Sequence, residues 1–447
     1  MADKTDFQLN NNSIFLDKNF TLGVATSSYQ IEGAYDVDDK LPSIWDVFSK
    51  IPGRVKNGDT GDVACDHYHR YAEDSALIAE LGFDAYRFSI AWARVLHKDG
   101  TINHKGMDFY KRMLDSLHKH DIKAFATLYH WDLPQHIQER GGWLNRETSY
   151  LFADYAQKVM AHLGDKFATV VTLNEPWVSA HIGHTFGFHA PGLKSEKAGL
   201  CAAHHLLLGH GLGIQAIHAE NPTIPAGIVL NMTPNYPHNK SNDDKISALV
   251  ADEFNNDWFI QPILQKTYPY WYSKLNADIM PQILEGDMEI IGQKIDILGI
   301  NYYTRGVITA KGENGTETVY VDDAEHTDFD WEVYPQGLTD LLVGLNKRYD
   351  LPPIYITENG CAYEAKDGTL NDQPRLNYYE KHLNALDDAA KAGVNIKGYF
   401  AWSLMDNFEW AAGYEMRFGI VHVDFESQKR TPKQSALAFK ALNQQRR

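Results

Sequence analysis

Apolar residues recur along this chain at two alternating periods. Eight short runs are rich in β-branched and aromatic residues and read as buried strands: 21–26, 85–90, 124–129, 168–173, 226–231, 295–302, 354–357 and 398–404. The segments between them space their apolar positions three and four apart, as amphipathic helices do. Tyr71, Leu77, Ile78 and Leu81 share one face of 70–81, and Tyr110, Met113, Leu114 and Leu117 share one face of 109–120. Segments 150–163, 199–219 and 378–391 repeat the pattern. Strand and helix alternating from end to end imply parallel strands joined by crossover helices. Eight repeats favour one α/β architecture, a single (β/α)8 TIM barrel spanning 1–447, over an open doubly wound sheet. The least helical connection, 305–334, carries Gly312-Glu313-Asn314-Gly315 between 307–309 and 319–321, the pattern of a hairpin hung on the barrel. The long connections 30–66 and 177–192 follow strands, so they are expected to elaborate the face where a barrel carries its chemistry.

Composition narrows the field without naming an activity. At 447 residues, 44% hydrophobic and 23% charged, the chain has ample material for a large core. A formal charge of −17 argues against nucleic acid and anionic membranes as partners, since both would repel it. The three cysteines, Cys65, Cys201 and Cys361, lie far apart and form no Cys-x-x-Cys pair, so neither a disulfide framework nor a structural zinc site is indicated. The first residues hold no apolar leader core and no run approaches transmembrane length, so a reducing cytoplasm is the expected location. Monomer and homo-oligomer both stay open. The 10 Trp and 24 Tyr are mostly core material, yet a sugar-binding protein also uses indole faces and phenol hydroxyls.

Two glutamates stand out against this background. Glu175 follows the run that ends in Thr172-Leu173-Asn174, and Glu358 follows Ile356-Thr357. An ionisable group at the mouth of a buried strand costs free energy unless it has a task. In a barrel, catalytic groups sit at the C-terminal ends of strands. That rule collects Gln30, Arg87, His130-Trp131-Asp132, Asn174-Glu175, Asn301-Tyr302-Tyr303, Glu358-Asn359 and Trp402, with Glu409-Trp410 just beyond. Such a set offers two carboxyls for glycosidic cleavage, hydroxyl-binding groups and stacking surfaces. It has no cluster suited to a metal, and no cofactor is expected. The 20 histidines, His67-Tyr-His69, His181-x-x-His184 and His204-His205 among them, form no His-Glu-x-x-His pattern. His181 and His184 are expected near a leaving group.

The chain resembles glycoside hydrolase family 1, the β-glucosidase family, over nearly its whole length. The resemblance rests on Phe20-Thr-Leu-Gly-Val-Ala-Thr-Ser-Ser-Tyr-Gln-Ile-Glu-Gly-Ala34, Tyr86-Arg-Phe-Ser-Ile-Ala-Trp92, Leu128-Tyr-His-Trp-Asp-Leu-Pro134 and Thr172-Leu-Asn-Glu-Pro176. It continues through Asn301-Tyr-Tyr-Thr304, Ile356-Thr-Glu-Asn-Gly360 and Trp402-Ser-Leu-Met-Asp-Asn-Phe-Glu-Trp410. It implies a retaining, exo-acting β-glucosidase that releases terminal β-D-glucosyl residues from small carbohydrate substrates. Side activity on β-galactosides or β-fucosides, and transglycosylation, are implied as well. Glu358 is then the nucleophile and Glu175 the acid/base, with carboxyls about 5–5.5 Å apart. Arg87, Tyr303 and Asn301 support them. Gln30, His130, Trp131 and Trp410 hold the sugar, Asn174 takes the 2-hydroxyl, and Glu409 takes the 4- and 6-hydroxyls. Trp402 is the platform, and Trp331, Trp177 and Val178 line the entrance.

Two relatives are distinguished by single positions. Family members that act on 6-phosphorylated sugars lack a carboxylate at the position of Glu409 and add a lysine downstream; here Glu409 is present and Gly413-Tyr-Glu-Met-Arg417 has no lysine. Thioglucosidases of the family replace the acid/base with Gln, whereas Glu175 is kept. An endo-acting glycanase and a catalytically inactive carbohydrate-binding protein are the competing readings. The second would lack one of the two carboxylates.

Overall fold

The computed structural model describes residues 5–312, 316–364 and 370–446. Eight strands form a closed barrel: β1 (Thr21–Ala25), β2 (Ala85–Ser89), β3 (Lys123–Tyr129), β4 (Thr169–Asn174), β5 (Ala226–Asn231), β6 (Ile297–Asn301), β7 (Ile354–Asn359) and β8 (Ile396–Trp402). Each pairs in parallel with its neighbours in sequence, and β8 closes on β1. Crossover helices follow them in turn: α1 (His67–Glu80), α2 (His104–Lys119), α3 (Glu147–Leu163), α4 (Glu196–Glu220), α5 (Trp258–Gln265), α6 (Pro335–Arg348), α7 (Gln373–Lys391) and α8 (Gln434–Gln445).

The lower barrel is plugged with apolar side chains. Phe125 on β3 and Phe400 on β8 lie with ring centroids 4.9 Å apart, although these strands are not neighbours, so the contact crosses the interior. Tyr355 joins them, and Val171, Val229 and Ile297 fill the opposite quadrant. The plug closes one end and leaves the C-terminal end for chemistry. Close strand approach is part of this packing: a Cβ on Gly227 would sit 2.1 Å from the Ile297 carbonyl oxygen on β6. Gly227→Ala is expected to destabilise the fold by about 1–3 kcal/mol, read as a lower midpoint in thermal or urea unfolding.

The strand runs fall where the periodicity puts them, with different ends. β6 is shorter than 295–302, and β8 sits two residues earlier than 398–404. β7 continues past Thr357, so Glu358 and Asn359 lie within the strand. The hairpin pairs Ile308 with Thr318 and Thr309 with Glu317, and the Val319 N–H donates to the Val307 carbonyl, so the second arm begins before 319; its tip at Glu313, Asn314 and Gly315 lies outside the described residues.

Two segments depart further from expectation. Residues 177–192 are not an open loop, because Val178–Phe186 winds as a π-helix. Helix α4 is not amphipathic: it is buried on most sides, packed against α3 and the π-helix. Contrary to the hydropathy expectation, its 25 residues are long and apolar enough to cross a membrane, but 78% of the relevant window is buried inside the protein. Its apolarity serves the core.

Candidate active site

Both glutamate-bearing strands lose regular register at their C-terminal ends. β4 slips against β5 between Val171 and Asn174, and β7 slips against β6 between Ile356 and Glu358. Such irregularities re-aim side chains at a barrel rim. Glu175 then takes the left-handed region, φ 47°, as do Trp131 at 76° and Trp410 at 49°. For a non-glycine residue this conformation costs roughly 1–2 kcal/mol, so surrounding contacts must hold it. The Glu175 N–H donates to the Val229 carbonyl, and its own carbonyl accepts from the Val178 N–H. Three strained residues around one cavity mark that rim as the functional one.

A hydrogen-bonded chain ties the two carboxyls together. Arg87 Nη1 donates to Glu358 Oε1 at 2.7 Å, and Nη2 donates to Asn174 Oδ1 at 2.7 Å. The Tyr303 hydroxyl donates to Glu358 Oε2 at 2.6 Å, which leaves each oxygen of Glu358 with a donor. Asn301 Nδ2 donates to Glu175 Oε1 at 2.6 Å and to Asn174 Oδ1 at 3.1 Å, while its own Oδ1 accepts from Thr357 Oγ1 at 2.6 Å. Arg87, Asn174, Asn301, Glu175 and Glu358 are all buried.

The electrostatics separate the pair. Burial and the adjacent Glu358 charge push Glu175 well above the usual carboxylate range, with only the Asn301 bond and the more distant Arg87 opposing. Burial raises Glu358 too, but Arg87 and the Tyr303 hydroxyl, through charge and hydrogen bonds, pull it back. Glu175 is therefore the better holder of a proton. Burial and the Glu358 charge raise Glu409 to about 8, against a Gln30 hydrogen bond that lowers it. Burial, aided by Arg87, drives His130 well below the imidazole range, so the ring is neutral; it lies 3.1 Å by Nε2 from Asn174 Nδ2.

Above these groups opens a cavity of about 430 Å3. Its inner wall carries Glu175, Glu358, Asn301, Tyr303, His130, Trp131, Trp402, Glu409 and Trp410. The His130 ring lies nearly parallel to Trp402 and Trp410, 5.9 Å from each. Trp177, Val178 and Ile182 form one outer wall, and Phe329, Trp331 and Phe418 form the other. The base is polar and enclosed; the mouth is aromatic.

Arg87, Asn174 and Gln30 stand behind this surface rather than on it. Gln30 Nε2 donates to Asn407 Oδ1 and the Phe408 carbonyl, both at 2.9 Å, and reaches Glu409 Oε2 at 3.3 Å; its Oε1 accepts from Ser27 Oγ. Gln30 thus braces the segment that carries Glu409. His181 and His184 do not reach the cavity, contrary to expectation. They are buried on the π-helix, bonded to Thr185 Oγ1 and the Ser179 carbonyl, and burial lowers them to about 3 and about 4. Asn231, Met232 and Thr233, at the end of β5, line the cavity and were missed. The strand-end rule applied to β5 finds Asn231.

The sequence matches the model of Glycosyl hydrolase family 1 over residues 12–447. A β-glucosidase from Agrobacterium sp. is 46% identical over 432 residues, covering 95% of this chain and 94% of that protein. A bifunctional β-D-glucosidase/β-D-fucosidase from Bifidobacterium breve is 41% identical, over 95% of this chain and 97% of that one. The solved structure of virulence factor SghA, a protein of Agrobacterium tumefaciens, with its substrate analog salicin superposes with a TM-score of 0.94. It is 45% identical, over 97% of each chain.

The chain belongs to glycosyl hydrolase family 1.

As a family 1 glycoside hydrolase it carries one carboxyl immediately after strand four and the other on strand seven of one barrel, facing the same cavity. Among the described residues, no group of three or more His, Cys, Asp or Glu side chains is placed to hold a metal ion.

Proposed function

We propose that this family 1 glycosidase is a retaining, exo-acting β-glucosidase in which Glu358 is the nucleophile and Glu175 the acid/base. The observation that carries the assignment is the asymmetry of donors. Glu358 is held by a guanidinium and a phenol hydroxyl, which favour its anion, while Glu175 has one amide donor and a neighbouring negative charge. In the first step Glu358 attacks the anomeric carbon as Glu175 gives its proton to the departing oxygen. The Glu358 charge vanishes on esterification, and with it part of what raised Glu175. Glu175 then works as a base, taking a proton from the water that attacks the glycosyl-enzyme.

Around the sugar, His130, Glu409 and Trp410 supply hydrogen-bonding groups and Trp402 the platform. Trp131, whose indole N–H is donated to the Asn174 carbonyl, offers only ring surface, and Asn174 orients Arg87 and Asn301 from behind. Gln30 acts through Glu409. A cavity of about 430 Å3 closed at its base supports removal of a terminal residue rather than mid-chain cleavage. The aromatic mouth formed by Trp177, Val178, Phe329 and Trp331 supports an aryl or apolar leaving group, and the salicin complex of the structural relative points the same way. Activity on β-fucosides is part of the proposal, as the Bifidobacterium breve relative is named for both activities. A cytoplasmic location belongs to it as well, supported by three free thiols at Cys65, Cys201 and Cys361.

Turnover of p-nitrophenyl β-glucoside between pH 5 and 8 tests the activity, and its absence would overturn the reading. A preference for 6-phosphoglucosides over glucosides would overturn the role of Glu409. The support of Glu358 is tested by Arg87→Met. Removing the cation leaves a buried carboxylate without its main partner, so Glu358 titrates higher. Because the reaction needs Glu358 ionised, activity is lost as pH falls, and that acid limb moves to higher pH. A fall of roughly a hundredfold or more in kcat/KM is expected, and an unmoved acid limb in the pH profile would refute the arrangement.

A further inference from the structure

A chamber of about 10 Å3 lies directly behind the wall of the catalytic cavity, and Trp131, Val178 and His189 line both spaces. Its other walls include Trp45 on the short helix Ile44–Phe48, Tyr129 at the end of β3, and Ser179 and His184 on the π-helix. Three of these side chains bury a ring nitrogen with no hydrogen-bond partner among the described residues: Trp45 Nε1, His184 Nε2 and His189 Nδ1. Each unmet donor or acceptor costs the desolvation of that atom, so three around one space call for a common partner.

The chemistry of the three atoms identifies that partner. Burial lowers His184 to about 4 and His189 to about 3, so both rings are neutral. His184 Nδ1 lies 2.8 Å from the Ser179 carbonyl oxygen, which only an N–H can meet. Nδ1 therefore carries the proton, and Nε2 is a bare acceptor. Trp45 Nε1, by contrast, can only donate. The partner must accept from one side and donate to another, which no monatomic ion does. Among the described residues no carboxylate lines the chamber, and a metal ion bound to the imidazoles would face the indole N–H. A water molecule does both. It keeps one proton and one lone pair to meet His189 Nδ1 in either tautomer, and Ser179 Oγ beside the Tyr129 hydroxyl. The volume agrees, since a single water needs roughly 10–15 Å3. We propose that this chamber binds one water molecule that ties the helix Ile44–Phe48, the π-helix and His189 together behind the catalytic wall. Its role is positional: it holds Trp131 and Val178, which face the sugar and the leaving group, from the rear.

A crystal structure of the full chain, at a resolution that shows ordered solvent, is expected to place one water about 2.7–3.2 Å from Trp45 Nε1, His184 Nε2 and His189 Nδ1. Density that is absent, or bonded to fewer than two of the three, overturns the proposal. An anomalous signal at that point overturns the assignment of water in favour of a metal ion. His184→Leu removes the acceptor. It is expected to lose the water and to raise KM for p-nitrophenyl β-glucoside about threefold or more, with kcat held within about twofold. His184→Gln returns an amide oxygen near the position of Nε2 and is expected to restore both the water and KM. An unchanged KM in His184→Leu, or an equal rise in the two variants, overturns the bracing role. The density is read without turnover, so its outcome stands apart from the catalytic roles proposed above.

Discussion

Glu358→Ala is expected to reduce kcat by roughly 10⁴-fold or more, the scale reached when an enzymatic nucleophile is removed. The loss follows from geometry rather than stability. Arg87 keeps Asn174 as a partner through Nη2, so the guanidinium is not orphaned, and the Tyr303 hydroxyl can turn to water entering the space left behind. The truncation also leaves room beside the anomeric carbon on the face opposite Glu175. A small anion such as azide, drawn by the uncompensated Arg87 charge, can attack there in a single displacement. Cleavage of an aryl β-glucoside should therefore return in azide and give the α-glycosyl azide, identified by NMR. Recovery with a β-configured product, or full activity without azide, would refute the nucleophile assignment.

The architecture was legible because barrel strands are buried on both faces and so read as short continuous apolar runs. Their ends were less legible. β7 extends through the polar Glu358 and Asn359, whose side chains serve the cavity and its support, so hydropathy stops the strand early. Helix α4 hid its burial for a different reason: its histidines and glycines look polar or neutral in sequence, yet His204 and His210 are fully buried, each bonded to a neighbouring side chain.

The site divides along the same physical line. Groups that touch charge or hydroxyls mostly sit at strand ends, and the strand-end rule finds His130, Glu175, Asn301, Tyr303 and Glu358 from position alone, whereas Arg87 lies in the middle of β2 and reaches the site by its length. The outer walls escape it, because Ile182, Phe329 and Phe418 arrive from connections where an apolar residue has no period to betray its direction. Whether a polar side chain faces the cavity or braces it depends on its partners. Gln30 illustrates the limit: a neighbouring carbonyl, amide and carboxylate occupy its amide group, and nothing in the linear chain displays that.

Glu175→Ala should separate substrates by leaving group. The acid matters only when the departing oxygen needs a proton, so alkyl glucosides should lose roughly 10²–10⁴-fold in kcat/KM. Dinitrophenyl glucosides, whose phenolate leaves unaided, should keep most of theirs. For those substrates the second step becomes limiting, since no base activates the water, and the glycosyl-enzyme should accumulate as a burst. Azide needs no base: it attacks the glycosyl-enzyme directly, raises kcat and yields the β-glycosyl azide, opposite in configuration to the product from Glu358→Ala. The pH profile supplies the sign. In wild type the raised Glu175 must be protonated for the first step, so activity falls as pH rises through its folded-state pKa. Glu175→Ala removes that alkaline limb and leaves the acid limb, which belongs to Glu358. An alkaline limb that survives in Glu175→Ala, together with equal losses on alkyl and dinitrophenyl glucosides, would assign the proton to another group. Glu409, raised to about 8 on the same wall, is the group to test next.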